Sequence, residues 1–354
     1  MRVLGLETTC DETAAAVVED GKRILSNEID SQASDHQVFG GVYPELACRK
    51  HVDLLIPVVE RALEKAHLDI KAIDLIAVAK GPGLIGALLI GIQAAKALSF
   101  ALQRPFIGVN HVEAHLYAAM MPLEDPPLPG LGLVVSGGHT FLVKIHAIGS
   151  YERIGQTLDD AAGEAFDKVA AILELPYPGG PAIEMLAKKS QRRVGLFSLP
   201  KVKRNKWDFS FSGLKTSVLY AVKGQNAEKK EPCAWSEQEK ADIAADFQET
   251  ILLSIAQKVG AAMDAFGCKS LFCGGGVCNN QRLRELLAEH CRGRSLFFPE
   301  RGLVLDNAAM IAGLGYHVYH RFQTGDSYDL EPMTRIPIAM GSVGVERQTF
   351  TAVH

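Results

Sequence analysis

The chain has 354 residues, of which 47% are hydrophobic and 22% charged, and its formal net charge is −4. This composition is typical of a folded globular protein, and the length favours two domains over one. The small negative charge argues against a protein that coats nucleic acid indiscriminately.

The sequence predicts neither an export signal nor a membrane span. Residues 3–7 are already apolar and strand-like, without the charged, apolar and cleavage regions of a signal peptide. The most apolar segment, residues 83–95, is well short of the roughly 20 residues that cross a bilayer, and we predict a buried helix there. The seven cysteines contain no C-x-x-C pair, which favours reduced thiols and a cytoplasmic location.

In chain order, the first half predicts a hairpin, a helix, a strand, a glycine loop and a further helix. Asp20-Gly21 between apolar runs is a strong hairpin signal. The segments are strands at 3–7, 14–19 and 24–29, an amphipathic helix at 51–67, a buried strand at 75–79, the loop Gly81-Pro82-Gly83 and an apolar helix.

The second half repeats this order. Its segments are strands at 131–135, 141–145 and 148–155, a helix at 243–266, a strand at 270–273, the loop Gly274-Gly275-Gly276 and a helix through Leu283. Such a duplication predicts an α/β protein with two similar lobes across a central cleft, as in the actin, sugar kinase and chaperone ATPase superfamily. We expect an N-terminal lobe at 1–125, a C-terminal lobe at 126–325 and a tail at 326–354.

A basic run interrupts the second half. Residues 188–206 contain eight basic side chains and no acidic one. The run is either a solvated loop or a contact for a phosphate backbone, with Trp207 and Phe209 alongside to stack on a base. The sequence leaves both interpretations open.

His111 and His115 form the sharpest local signal. Their i, i+4 spacing puts both imidazoles on one face of a helix, where they can bind one metal ion, although a chance surface pair has the same spacing. Glu113 lies about 200° around the helix from His111 and so cannot be the base of a zincin-type protease. We expect Glu113 to form a capping box with Asn110 instead.

A third metal ligand must come from elsewhere, and Asp306 is the candidate. It precedes an apolar helix, where an aspartate is more commonly an N-cap, although the two roles are compatible.

Glycine-rich turns and a pair of acids complete the candidate chemistry. Ser136-Gly137-Gly138 offers unobstructed backbone amides, and the 274–276 loop with Asn280 suits a close approach to a nucleotide. Asp11 and Glu12 would repel a phosphate, so they are better candidates for a base or an orienting group.

Several collinear motifs resemble the TsaD family of bacterial tRNA threonylcarbamoyladenosine transferases. They extend over residues 3–315 and are ETTCDET at 7–13, HVEAH at 111–115, VSGGHT at 135–140, DDAAGEAFDK at 159–168, YPGGP at 177–181, FSFSGLKT at 209–216 and Asp306-Asn307. The resemblance implies an actin-like two-lobed fold. This sequence departs from the family pattern at Thr9, where serine is usual, and at Glu184, where aspartate is common.

The resemblance also implies an activity and a set of site residues. Members transfer the threonylcarbamoyl group from threonylcarbamoyl-adenylate to the exocyclic amine of the adenosine 3′ of the anticodon, releasing AMP. By resemblance, His111, His115 and Asp306 hold one iron or zinc ion. The adenylate site would comprise Val134, Val135, Ser136, Gly137, Gly138, Asp167, Gly180, Glu184 and Asn280. Expected partners are tRNA, a TsaB-like inactive paralogue and a TsaE-like P-loop ATPase, with no membrane.

Two other functions compete with this interpretation. The histidine pair alone suggests a metalloprotease, and the duplicated fold alone suggests an ATPase or a scaffold of a tRNA-modifying complex. A transferase needs both tRNA and the adenylate, whereas a protease needs neither and an ATPase turns over without an acceptor.

Overall fold

The computed structural model describes residues 1–191, 195–200, 202, 205–224 and 235–336. The strands and helices are β1 (Arg2–Glu7), β2 (Glu12–Glu19), β3 (Arg23–Ser31), α1 (Ala33–Gln37), α2 (Pro44–Lys65), β4 (Leu75–Gly81), α3 (Ile85–Leu102), β5 (Phe106–Asn110), α4 (His111–Met120), β6 (Gly130–Val135), β7 (Thr140–Ala147), β8 (Ser150–Gln156), α5 (Ala162–Ile172), α6 (Gly179–Ala187), α7 (Ser212–Lys223), α8 (Glu237–Phe266), β9 (Ser270–Gly274), α9 (Gln281–His290), β10 (Ser295–Phe297) and α10 (Ala308–Phe322).

Two five-stranded sheets share one topology. The first has the order β3-β2-β1-β4-β5 and the second β8-β7-β6-β9-β10. In each sheet the opening strand, β1 or β6, pairs antiparallel with the strand that follows it. It pairs parallel with the fourth strand of that sheet along the chain, β4 or β9, which comes after intervening helices. The predicted α/β duplication is therefore confirmed at the level of strand order.

The first hairpin shows how the sequence specifies this geometry. Asp20 and Gly21 both have positive φ, +51° and +75°, which the twist of a tight antiparallel turn requires. This turn joins β2 to β3 and places Glu19 opposite Arg23. On its other side β2 pairs with β1, from Arg2 opposite Glu19 to Glu7 opposite Ala14, which leaves residues 8–11 as a turn at the opposite end, pointing to the cleft.

Helices α4 and α10 lie between the two sheets. Side chains of both helices share one buried core with the inner faces of the two sheets, including Val3 and Ala77 of the first sheet and Val134 and Phe272 of the second. Because α10 packs along the first sheet, it lies with that lobe although it belongs to the second by sequence. The lobe boundaries at residues 125 and 325 therefore stay a proposal, and they describe the two duplicated units of the sequence.

The outer layers of the two lobes are separate. Helices α2 and α3 cover the first sheet, and α5 to α9 build a larger core on the second. The predicted apolar helix is confirmed as α3, but its burial is partial, because Ile85, Leu89 and Phe100 are exposed. By length and composition α3 is long and apolar enough to cross a membrane. The core helices of soluble proteins pass the same test, so this property alone is weak evidence for a membrane span.

Some sequence predictions fall partly on residues that the structure leaves undescribed. Arg192, Arg193, Lys201, Lys203 and Arg204 of the basic run lie outside the described residues, as do residues 337–354 of the proposed tail and Cys233. The remaining cysteines are all free thiols: Cys10, Cys48, Cys268, Cys273, Cys278 and Cys291.

Candidate active site

Strand β5 and helix α4 place the two histidines. The Asn110 side chain caps α4 by accepting hydrogen bonds from the backbone N–H groups of Val112 at 3.0 Å and Glu113 at 3.4 Å. His111 opens the helix, and His115 follows one turn later. Both are almost fully buried, and their ring centroids are 4.6 Å apart.

Asp306 reaches the same point from the start of α10. The N-cap of α10 is Asn307, whose side-chain oxygen accepts from the Met310 N–H at 3.0 Å. Asp306 is therefore not the cap, and its carboxylate is free to face α4. Asp306 Oδ1 lies 3.5 Å from His111 Nε2 and 3.0 Å from His115 Nε2.

These three side chains fit one divalent metal ion. One ligand atom from each lies within 4.8 Å of the others, and ligands about 2.1 Å from a tetrahedral ion are roughly 3.4 Å apart. In addition, Nε2 of the buried His115 makes no well-directed hydrogen bond, although the Asp306 carboxylate lies 3.0 Å away. A metal ion bound between that nitrogen and the carboxylate would satisfy both groups.

The charges around the group attract one another strongly. Burial alone would lower the pKa of His111, but the carboxylates of Glu7 and Asp306 outweigh it and raise that pKa well above its usual range. Burial likewise opposes ionisation of Asp306, yet the imidazoles of His111 and His115 hold its pKa well below the usual value. The site therefore stabilises a carboxylate beside cationic groups.

Two residues near this group had no role assigned from the sequence. Glu7 Oε2 lies 2.9 Å from His111 Nδ1. His139 has its pKa lowered to about 4, chiefly by burial and then by the neighbouring His111 and His115. Glu7 and His139 stand inside two of the quoted motifs, but only the folded chain places them beside the metal-ligand candidates.

Asp11, on the turn between β1 and β2, and Glu12, the first residue of β2, face the same cleft. His51 on α2 holds this turn, with Nε2 2.9 Å from the Cys10 carbonyl and Nδ1 2.7 Å from Thr13 Oγ1. Burial, followed by the charges of Asp306 and Asp11, raises the pKa of Glu12 to about 10.

The turn between β6 and β7 carries the open backbone amides. A Cβ atom added at Gly137 or Gly138 would meet no atom within 4 Å, so a ligand has room to approach either residue. Gly163 at the start of α5 packs beneath this turn, where an added Cβ would lie 2.7 Å from the Ser136 carbonyl oxygen. The exposed turn thus rests on the N-terminus of α5.

The other predicted substrate residues surround α6 and α9. Asp167 accepts a hydrogen bond from the Gly179 N–H at 2.8 Å, and Gly180 has open space around its Cα. Burial raises the pKa of Asp167 to about 6. Glu184 Oε1 accepts from the Gln281 N–H at 3.1 Å.

Asn280 and the 274–276 loop are engaged within the protein. Asn280 caps α9 through the Leu283 N–H at 3.2 Å and donates to Gln248 Oε1 at 2.8 Å. An added Cβ at Gly274 would lie 2.6 Å from the His115 carbonyl oxygen, so this glycine permits close packing against α4. The loop therefore packs closely against the helix that carries His111 and His115.

Glu113 differs from its predicted contact. It is buried, and its Oε1 accepts from the Asn110 side-chain amide at 3.4 Å, rather than from the Asn110 backbone as a capping box would require. Burial raises its pKa to about 8, against the opposing charge of Lys80. The sequence-based conclusion that Glu113 cannot serve as a protease base agrees with this position.

The DDAAGEAFDK and FSFSGLKT motifs bind each other. The Asp159 carboxylate accepts hydrogen bonds from the Phe211 N–H and from the side chains of Ser210 and Ser212, and Asp160 pairs with Lys168 and Lys215 at 2.8 Å. In these two motifs, only Asp167 was assigned to the adenylate site by resemblance. In the structure they tie α7 to the start of α5.

This fold and site define a two-lobed α/β protein of the actin and sugar kinase type with a candidate metal centre in its cleft. Solved structures under 25% identical support the fold. A HypF structure has a TM-score of 0.61 at 14% identity, covering 91% of this chain and 46% of that chain. The ROK hexokinase from Thermus thermophilus has a TM-score of 0.51 at 16% identity, covering 91% of this chain and 99% of that chain.

Sequence comparison then gives the family. The TsaD family, described as tRNA N6-adenosine threonylcarbamoyltransferase, matches residues 23–313. A relative so named from Protochlamydia amoebophila is 57% identical over 96% of this chain and 98% of its own length, and another from Dictyoglomus turgidum is 48% identical over 93% and 96%. The chain belongs to the TsaD family.

Proposed function

We propose that this protein transfers the threonylcarbamoyl group from threonylcarbamoyl-adenylate to the exocyclic amine of the adenosine 3′ of the anticodon in tRNA, releasing AMP. Membership of the TsaD family, with near-complete coverage of relatives that carry this activity in their names, is the observation that carries the proposal. The convergence of His111, His115 and Asp306 beside the open 136–138 turn supports it.

Different residues of the chain would bind the metal ion and the phosphate of the adenylate. His111, His115 and Asp306 would hold an iron or zinc ion, which, when bound, neutralises phosphate charge through its remaining coordination positions. The backbone amides of Gly137 and Gly138 donate to phosphate oxygens without obstruction by side chains.

The nucleoside end of the adenylate would lie near α6. Asp167 and Glu184 supply acceptors for ribose or adenine hydrogen bonds, and Gly180 leaves space for a flat ring. Because Asn280 is nearly buried and already caps α9, it contributes mainly by holding the start of that helix beside the site.

Asp11 is the better candidate for the proton acceptor. The attacking amine must lose a proton as the carbamoyl bond to nitrogen forms, and a carboxylate in reach of the cleft can take it. Glu12 has a raised pKa because of burial and its acidic neighbours, so it keeps its own proton at neutral pH. Glu12 then orients Asp11.

The cellular location and the partner proteins follow from the proposed function. We infer a cytoplasmic protein that acts on tRNA together with a TsaB-like paralogue and a TsaE-like P-loop ATPase, and that is weakly active or inactive alone. The metalloprotease alternative finds no support, because Glu113 is turned away from the histidine nitrogens and bonded to Asn110.

Nucleoside mass spectrometry of unmodified tRNA tests the function. The tRNA is incubated with this protein, its partners and threonylcarbamoyl-adenylate, and wild type is compared with His111→Ala. We expect threonylcarbamoyladenosine from wild type alone. No product from a metal-loaded, fully partnered wild type would favour the scaffold or ATPase function instead.

A further inference from the structure

Glu7, the last residue of β1, is a fully buried carboxylate with two specific hydrogen-bond partners. Its Oε1 accepts from the Thr9 backbone N–H at 2.6 Å, and its Oε2 lies 2.9 Å from His111 Nδ1. Burying an ionised carboxylate is costly unless it is paired and hydrogen-bonded. Both of its oxygens are therefore committed, one to the turn that carries Asp11 and one to His111.

The end of β1 is held firmly in this position. Thr8 Oγ1 donates to the Ala87 carbonyl at 2.9 Å, and Gly91 leaves no room for a side chain beside that hydroxyl. Since neither the strand nor the following turn can shift easily, the Glu7 carboxylate presents a fixed acceptor to the imidazole.

The two histidines differ at Nδ1. His111 Nδ1 faces a carboxylate, whereas His115 Nδ1 makes no hydrogen bond. With Glu7 Oε2 as the acceptor, Nδ1 of His111 carries the hydrogen. In the neutral imidazole that a metal ion requires, the lone pair is then on Nε2, the nitrogen that faces Asp306.

We propose that Glu7 is a positioning residue that fixes the Nδ1–H form of His111 and so turns its Nε2 lone pair toward the metal. The inference rests on the metal site of the proposed function and adds a residue to it. A carboxylate behind a ligating histidine typically strengthens metal binding about 10–100-fold.

Glu7→Gln tests the proposal with almost no change in shape. A glutamine side chain has one acceptor, so it can satisfy either the Thr9 N–H or the His111 Nδ1–H, and its amide N–H₂ must face the other donor. We expect the dissociation constant for Zn²⁺, measured by chelator competition, to rise about 10–100-fold. The d–d absorption of the Co²⁺-loaded protein should change as well.

Glu113→Gln is the matched control. Glu113 is buried on the same helix between the two histidines, but its carboxylate contacts the Asn110 side chain and no histidine nitrogen. The same chemical change there should leave the Zn²⁺ dissociation constant within about twofold, since no ligand loses its partner. Metal-free thermal unfolding of all three proteins checks that each is folded.

A measurement on wild type covers the case in which Glu7→Gln does not fold. In the ¹⁵N-histidine NMR spectrum of the Zn²⁺-loaded protein, His111 should show a protonated Nδ1 and a coordinated Nε2. An unprotonated Nδ1, or a folded Glu7→Gln protein with unchanged affinity and spectrum, overturns the inference alone. Wild type that binds no metal would overturn the metal site of the proposed function together with it.

Discussion

At the scale of single residues, the cleft concentrates carboxylates that the fold holds in unfavourable surroundings. Glu12 and Asp167 both have raised pKa values because burial disfavours their charged forms. Such perturbed groups are typical of functional sites, where stability is given up for chemistry. Each of them provides a test of the proposed function.

Asp11→Asn should lower the rate of transfer by about 10²–10⁴-fold, because it removes the proposed proton acceptor. Glu12→Gln should be milder, since a protonated Glu12 and a glutamine are both neutral hydrogen-bond donors at pH 7. Transfer rates measured over a pH series compare the two. If Asp11→Asn leaves the rate unchanged at every pH, Asp11 is not the base.

Asp167→Asn should stabilise the protein at alkaline pH while impairing substrate binding. The folded pKa of about 6 lies above the ordinary value of 3.8, so the native state holds this proton more tightly than the unfolded chain. The stability that this bound proton contributes is fully present below pH 3.8 and is lost as the pH rises through about 6. An asparagine is uncharged at every pH, so the Asp167→Asn protein does not lose stability in this way.

Urea unfolding at two pH values measures this effect. The free energy of unfolding of Asp167→Asn should exceed that of wild type by roughly 1–3 kcal/mol at pH 8, and the difference should shrink at pH 4. Exposed Asp53→Asn is the control and should stay within about 0.5 kcal/mol at both. An equal difference for Asp167→Asn at both pH values would contradict the assigned cause.

At the scale of elements, helix starts place the site. The N-terminus of α4 carries His111, the segment before α10 carries Asp306, and the N-terminus of α5 supports the 136–138 turn. Side-chain caps at Asn110 and Asn307 fix where two of these helices begin. The positions of functional groups therefore depend on a few capping and packing residues behind them.

Gly163→Ala should disturb the amide turn without touching substrate. Its added Cβ would lie 2.7 Å from the Ser136 carbonyl oxygen and 2.8 Å from backbone atoms of Gly137, so α5 or the turn must shift. We expect a loss of about 1–3 kcal/mol in the free energy of unfolding, together with slower transfer.

Gly213→Ala is the matched control for this change. Gly213 also lies in the first turn of a helix, α7, and an added Cβ would meet no atom within 4 Å. Urea unfolding should show it neutral or more stable by about 0.4–1 kcal/mol. Equal effects of the two substitutions would argue that crowding beneath the turn is unimportant.

At the scale of the whole molecule, α4 and α10 join the lobes into one core. Because both sheets contribute to the cluster around these helices, the lobes should unfold together rather than one after the other. Both tryptophans, Trp207 and Trp235, pack against the core of the second lobe and report on it alone.

Leu314→Ala tests this coupling from the other side. Leu314 is fully buried on α10, which packs along the first sheet, and its truncation should cost about 2–5 kcal/mol. Tryptophan fluorescence and far-UV circular dichroism should shift to lower denaturant by the same amount. An unchanged fluorescence transition beside a shifted circular dichroism transition would show that the lobes unfold independently.

Local signals in the amino-acid sequence were sufficient to predict the local elements and the family. Turn pairs such as Asp20-Gly21 and the apolar patterns of strands and helices predicted the repeated order of elements along the chain. The i, i+4 histidines predicted the helix that carries His111 and His115, because these signals act over a few residues. The collinear motifs identified the TsaD family, and the match at 23–313 confirms it.

Packing between the lobes brings distant residues together, although the search for a third ligand and the family resemblance had indicated beforehand that Asp306 meets the histidines. Helix α10 belongs to the second half by sequence yet packs on the first sheet, and this crossing brings Asp306 to α4. Glu7 could not be recognised behind His111 because a strand end and a helix start 104 residues apart meet only after both sheets have formed. Local patterns specify elements, whereas burial and packing across the lobes decide which side chains share a site.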